Sequence, residues 1–264
     1  MEKLKEEIDI IQAGVIKEVA RHNEEHPGRE LPAEGRAKLA DAMKIVNSYM
    51  PLAKSAHGAL EKLRLDDTMA LEGKKRMMQE LLTDAEQKIV DKQRTADNQA
   101  TVARASFVVS AFRKLPKGQE AIARQDARMI LEASPHPAVR LAQLALRQDD
   151  VGALVVTQWG HDYLEARGVE EHEIKATQEL VIHHALVGAA EQAEDQERSA
   201  AARGALAANS VIGLNDGAAS AAHGLFDSMR TYYAVPREAF PTPRDPRRPA
   251  APQVLGEDIE PFTF

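Results

Sequence analysis

The stretch from Thr68 to Leu115 restricts the fold of this chain more than any other. Apolar side chains recur there on one seam at heptad-like steps: Met78, Leu82, Ala85, Ile89, Ala96, Ala103 and Phe107. This spacing predicts one helix, which at ~1.5 Å per residue would be about 70 Å long. A helix of that length cannot bury its stripe by itself, so it needs a partner helix.

Two partners satisfy this need. A second helix, predicted over 32–65, would fold back onto the long helix as an αα-hairpin, or a second copy of the chain would supply the partner. Pro51 lies inside that second helix and predicts either a kink or a split into two helices. Asp66-Asp67-Thr68 offers an N-cap for the long helix. Lys92 and Gln99 occupy the seam, where polar residues fix register at some cost in stability.

Shorter helices are predicted on both sides of these two. Apolar residues at three- and four-residue steps from Leu4 to Val19 mark an amphipathic first helix, which Pro27 ends near His26. Beyond Pro116-Lys117-Gly118 the pattern predicts helices over 119–133, 137–147, 151–167, 170–192 and 198–233, with Asn215-Asp216-Gly217 breaking the last.

The predicted fold class is therefore all-α. It comprises a long helical hairpin or coiled-coil-like N-terminal half over 1–115, a compact bundle of shorter helices over 118–233, and an extended Pro-rich tail over 234–264. Prolines recur from Pro236 to Pro261 and forbid a helix there.

Charge is distributed unevenly along the chain, whose net charge is −7. Residues 101–148 carry eight basic and three acidic side chains, whereas residues 161–200 carry three basic and ten acidic ones. These two regions are expected to pair within one subunit or between neighbours. The overall acidity disfavours nucleic acid as the main partner, because nucleic-acid binders usually carry a basic excess.

Several classes of chemistry are excluded or disfavoured by the sequence. It contains no Cys, so disulfides and thiolate sites are excluded. The P-loop, the G-x-G-x-x-G fingerprint and the G-x-S-x-G elbow do not occur.

His22, Glu25 and His26 match the H-x-x-E-H zinc-protease pattern, but Pro27 follows directly and places the pattern at a helix end. His172, Glu179 and His183 share a helix face without a second matching helix. We therefore predict no catalytic site, no metal and no cofactor.

Residues 199–225 are rich in Ala and Gly, including the pair Gly213 and Gly217. Small residues let helices approach closely, so a tightly packed helix contact is predicted. The alternative is a membrane-interacting or pore-forming protein that opens to expose this stretch. The uncharged run from Gly204 to Asn215 is shorter than the ~20 residues a spanning helix needs, and the N-terminus is charged rather than signal-like. The expected location is the cytoplasm or the interior of a virion or other assembly.

The end of the chain is the strongest functional lead. Ile259, Phe262 and Phe264 are predicted to anchor in a partner's groove, while Glu257, Asp258 and Glu260 face a basic rim. The end resembles the acidic, Phe-ending tips of bacterial single-stranded-DNA-binding proteins, from which it departs at Thr263-Phe264.

The function these features predict is that of a non-enzymatic structural or assembly protein. Such a subunit would join a homo-oligomer or hetero-assembly, such as a virion, portal, injection or scaffolding complex, through its tail. A metal-dependent hydrolase using His22, Glu25 and His26 is the second alternative, after the membrane-interacting protein.

Overall fold

The computed structural model describes residues 2–25, 33–112, 115–116, 118–147 and 150–235. Within these ranges the chain forms helices and no strand, which confirms the predicted all-α class. The helices are α1 (Glu2–Glu25), α2 (Ala33–Asn47), α3 (Tyr49–Leu65), α4 (Leu71–Ala111), α5 (Glu120–Ala133), α6 (Pro137–Leu146), α7 (Asp150–Val155), α8 (Gln158–Ala166), α9 (Glu171–Gln192) and α10 (Gln196–Tyr232).

Helix α4 is the central element of the body, and its predicted seam is buried from Met78 to Phe107. Helix α10 runs antiparallel to it, since Glu86 of α4 bonds Arg230 and Gln93 bonds Asp216. Helices α2 and α3 also pack against α4. The long helix therefore has neighbours from both ends of the chain. The hairpin or coiled-coil-like layout predicted for 1–115 stays a prediction.

Helix α2 approaches α4 closely because it presents a glycine at the contact. A Cβ placed on Gly35 would lie 2.3 Å from the ring of Phe107, which is fully buried. Any larger residue at this position would collide with the ring, so the two helices could not keep their separation.

Two expectations about the ends of α3 are resolved. The predicted helix over 32–65 is split at Ser48, whose hydroxyl donates to the carbonyl of Ile45 at 2.6 Å, and Pro51 sits in the first turn of α3. The predicted N-cap of the long helix is wrong. The Asp66 carboxylate instead accepts from the backbone N–H of Thr68 at 2.9 Å and closes a turn before α4 begins.

The predicted break at Asn215-Asp216-Gly217 is also wrong, because α10 continues through it to Tyr232. The Asn215 side chain is fully buried and occupied by tertiary bonds. Its amide donates to the carbonyl of Gln93 at 3.0 Å and to Asp97 at 2.8 Å, and its oxygen accepts from the Tyr49 hydroxyl at 2.5 Å. These bonds satisfy the side chain, so it does not compete with the helix backbone.

The predicted helix over 151–167 is two helices, α7 and α8. The hydroxyl of Thr157, between them, donates to the Leu154 carbonyl at 2.6 Å and satisfies the end of α7. The other predicted helices agree with the observed ones to within a few residues at each end.

Three clusters of buried side chains hold the helices together. The first joins α1, the end of α2, α3, the start of α4 and the end of α10; the second joins α2, the end of α4, α9 and the start of α10. The third joins α5, α6, α7 and α9. Helix α10 thus contributes to two clusters shared with residues before 112. The domain division at 115–118 and 234 stays a prediction.

Candidate functional site: the groove between α1 and α10 and the end of α10

Helix α1 is attached to the body mainly by its first half. Leu4 and Ile8 are buried, and Ser228 of α10 donates to Glu7 at 3.1 Å. Toward its C-terminal end α1 buries no side chain, which leaves a groove between α1 and α10 of about 640 Å³. Seven residues of α1 line it: Ile11, Gly14, Val15, Glu18, Arg21, His22 and Glu25.

The opposite wall of the groove belongs to the small-residue stretch of α10. Its lining residues are Ser210, Gly213, Leu214, Gly217, Ala218 and Ala221. A Cβ built on Gly213 or Gly217 would have no atom within 4 Å, so these two glycines face open space. Most of the predicted small-residue stretch is buried elsewhere, against α2, α4 and α9, which confirms the predicted tight helix contact.

The charged side of the groove lies entirely on α1. Arg21 is 2.6 Å from Glu18 and 3.8 Å from Glu25, and all three side chains are about half exposed. Two carboxylates therefore face one guanidinium, which leaves this wall negative at neutral pH. His22 and Glu25 of the H-x-x-E-H pattern line the same wall, whereas His26 lies outside the described residues.

The end of α10 is tied to both neighbouring helices. Arg230, 8% exposed, forms two bonds to the carboxylate of Glu86 on α4, at 3.1 and 2.8 Å. The hydroxyl of Tyr233 donates to Glu61 of α3 at 2.5 Å. Because the phenol has one proton, His57 Nδ1, 2.9 Å away, must donate to the phenol oxygen.

Burial and these contacts together set the pKa values of Tyr233, His57 and Glu61. Burial, followed by the bond to Glu61, raises the pKa of Tyr233, and burial lowers the pKa of the His57 imidazole. Burial acts to raise the pKa of Glu61, but the bonds from Tyr233 and Arg64 outweigh it, and the pKa falls. At neutral pH Tyr233 is therefore protonated and lies between the neutral imidazole of His57 and the ionised carboxylate of Glu61.

The chain leaves α10 through a left-handed residue. Ala234 has φ of 51°, and the N–H of Val235 donates to the carbonyl of Arg230 at 3.0 Å. This is the pattern of a Schellman cap, and it turns the backbone out of the helix axis. Val235 is buried in the same cluster as Leu4 and Ile8 of α1. The start of the C-terminal segment is thereby fixed to the body.

The predicted partner-binding residues follow this fixed point. Glu257, Asp258, Ile259, Glu260, Phe262 and Phe264 all lie outside the described residues. Their docking role stays a prediction.

The three residues noted on the His-rich face of α9 contact different neighbours. His172 contacts Glu170 at 3.1 Å, Glu179 bonds Arg104 at 2.6 Å, and His183 stacks edge-on against His184. The Arg104–Glu179 pair also shows one contact between the basic and acidic regions inside a single chain.

A different grouping in that region was missed by sequence reasoning. Potential ligand atoms of His161, Asp162 and Glu165 lie within 4.8 Å of one another on α8, and Glu171 bonds His161 Nε2 at 3.0 Å. The signal was the H-D-x-x-E spacing on one helix turn.

In the described part of the chain, no helix is both long and apolar enough to cross a membrane. Comparison with known proteins gives no family model, curated protein or solved structure that matches this chain.

Proposed function

We propose that this chain is a non-enzymatic helical subunit of a larger protein assembly and that it docks through its C-terminal segment, 236–264. The observation that carries the proposal is the fixed root of that segment. Arg230, Tyr233 and Val235 tie the end of α10 to α4, to α3 and to the core. A docking segment can orient the helical body relative to a partner only if the start of the segment is fixed to the body. These contacts fix it.

The composition of the segment supports docking. Its last residues combine three apolar anchors, Ile259, Phe262 and Phe264, with acidic neighbours. Buried aromatic anchors usually supply most of the binding energy at a protein interface, and surrounding charges add orientation and rate. Proline restricts the number of backbone conformations open to a free chain, so a proline-rich segment loses less conformational entropy when it binds.

The partner is another protein surface: a further copy of this chain or a different subunit. In this proposal helices α2 and α3, folded back on the long helix α4, form a hairpin-like rod that spaces the docking sites within the assembly. Such a subunit would work in the cytoplasm or inside a virion, portal, injection or scaffolding assembly.

Solution mass tests the proposal. The comparison is between full-length protein and a truncation ending at Val235, because a cut before Tyr233 would remove core contacts. Light scattering should give a defined oligomer for the full chain and a smaller species for the truncation. Circular dichroism should show unchanged helices in both.

Point variants refine the same experiment. Phe262→Ala combined with Phe264→Ala should weaken assembly, whereas Phe240→Ala, which removes a phenylalanine nearer the body, should not. If the full chain and the truncation form species with the same number of subunits, the chain does not dock onto copies of itself. A peptide of residues 250–264 that also captures no discrete partner would then contradict the docking function.

A further inference from the structure

We propose that residues 241–248 (Pro-Thr-Pro-Arg-Asp-Pro-Arg-Arg) bind the groove between α1 and α10 of the same chain. Bound there, the segment would fix the point at which the acidic end of the chain leaves the helical body. Three features carry the inference: the distance the segment has to cover, the charge of the groove and the shape of its glycine wall.

The distance matches the length of the segment. Ala221 and Ser210 mark the two ends of the groove on α10, about 18 and 35 Å from Tyr233 at ~1.5 Å per residue. An extended Pro-rich chain advances ~3.1 Å per residue, so a chain returning from Val235 passes these points near residues 241 and 246. The left-handed turn at Ala234 already directs the backbone off the helix axis, and Val235 packs in the cluster that contains the start of α1.

The charges of the two surfaces are complementary. The α1 wall offers Glu18 and Glu25 against the single cation Arg21. The segment 241–248 contains three arginines and one aspartate. The Arg21–Glu25 contact, at 3.8 Å between half-exposed side chains, is weak and easily exchanged for a new guanidinium. The same negative wall repels the acidic residues 257–260, which leaves the end of the chain free.

The shape of the groove suits an extended proline segment. Gly213 and Gly217 present no side chain, and Val15 and Leu214 provide apolar surface beside them. Proline rings pack well on shallow apolar grooves, and a polyproline backbone has no internal hydrogen bonds to break on docking. A glycine wall lets the backbone of the segment come close to α10.

Two engineered cysteines can measure this contact in the full chain, which has none of its own. Spin labels at Ala20→Cys, exposed on α1, and at Ala250→Cys, just after the segment, report one distance. We expect a narrow distance distribution in dilute protein. The charge reversal Glu18→Lys with Glu25→Lys should broaden it, and Arg244→Glu with Arg247→Glu and Arg248→Glu should restore it in that background.

The matched control is Glu6→Lys with Glu24→Lys, which changes the net charge equally at exposed α1 positions outside the groove lining. It should leave the narrow distribution unchanged, and circular dichroism should confirm that every variant folds. A broad distribution in the parent protein, or one insensitive to the groove reversal, overturns the proposal. So does a short distance between singly labelled chains in a mixture, because the occupant would then come from a second copy. None of these results depends on whether residues 257–264 dock.

Discussion

The contact between α4 and α10 has two halves built on different principles. Toward the end of α4 the facing residues are alanines, such as Ala100 and Ala103 against Ala205 and Ala208, all fully buried. Toward its start they are large, with Leu82 and Ile89 in the cluster that contains Leu225, Phe226 and Met229. Between the two halves lies the hydrogen-bonded group formed by Tyr49, Gln93, Asp97 and Asn215.

The difference decides what each half tolerates. Large side chains stabilise by the apolar area that they remove from water, at ~25 cal/mol per Å², so truncation is the damaging change there. Alanines remove little area each, but they let the two backbones approach, so added volume is the damaging change there. The polar layer between the halves fixes their register, because a shifted pairing would leave its buried groups unsatisfied.

The largest effect is expected from truncation in the large-residue half. Phe226→Ala removes a fully buried ring and should cost about 3–5 kcal/mol of unfolding free energy, because transfer and cavity terms add. Urea denaturation measures the loss. Val109→Ala is the control, since Val109 is 70% exposed and its truncation should change stability by less than ~0.5 kcal/mol. A small effect at Phe226 would mean that this half is not the apolar core.

The polar layer should come next. Asn215→Ala leaves the buried Tyr49 hydroxyl without its acceptor, at about 1–3 kcal/mol, and also removes the bonds that the amide donates to Gln93 and Asp97. We expect a total loss of about 2–4 kcal/mol in the same denaturation experiment. Asn98→Ala on the exposed side of α4 should be neutral or slightly stabilising, since alanine is the better helix former. If the two substitutions changed stability equally, Asn215 would not fix the register between α4 and α10.

Overpacking should damage the alanine half. Ala205→Leu adds volume at a fully buried position and should cost about 1–3 kcal/mol. Gly224→Ala adds a methyl group on an exposed face of the same helix outside the groove, where no atom lies within 4 Å, and should stabilise by about 0.5–1 kcal/mol. If both substitutions stabilised, α10 would not pack tightly in its first half.

The sequence was informative where one helix stripe decides the outcome. The seam from Met78 to Phe107 is buried as predicted because a period of three and four residues leaves a long helix only one apolar face. It was misleading where a local signal competes with a distant partner. Asn215-Asp216-Gly217 is a turn sequence by local preference, but the bonds of Asn215 to Tyr49, Gln93 and Asp97 retain the helix.

The groove was only partly predictable. Part of its lining was noted in the sequence, His22 and Glu25 in the H-x-x-E-H pattern at the end of α1 and Gly213 and Gly217 as a small-residue pair in α10, whereas Glu18 and Arg21 were not. Nothing in their spacing places these two stretches side by side, because they are almost two hundred residues apart and meet only through the antiparallel register set by Leu4, Ile8 and Glu7. Contacts between distant segments depend on the packing of the whole body.

The smallest effect is expected at the end of the large-residue half, where α10 gives way to the C-terminal segment. Ala234 has φ of 51°, a conformation that strains a residue with a Cβ but not glycine. Ala234→Gly should therefore stabilise by about 0.5–1 kcal/mol, the strain relief being partly offset by the greater freedom of glycine in the unfolded chain. Ala221→Gly, inside α10, makes the same chemical change in helical backbone and should destabilise by ~1 kcal/mol. If the two substitutions change the melting temperature in opposite directions, the cap at Ala234 is present in solution, and with it the fixed start of the C-terminal segment. If both lower it, α10 frays before Tyr233.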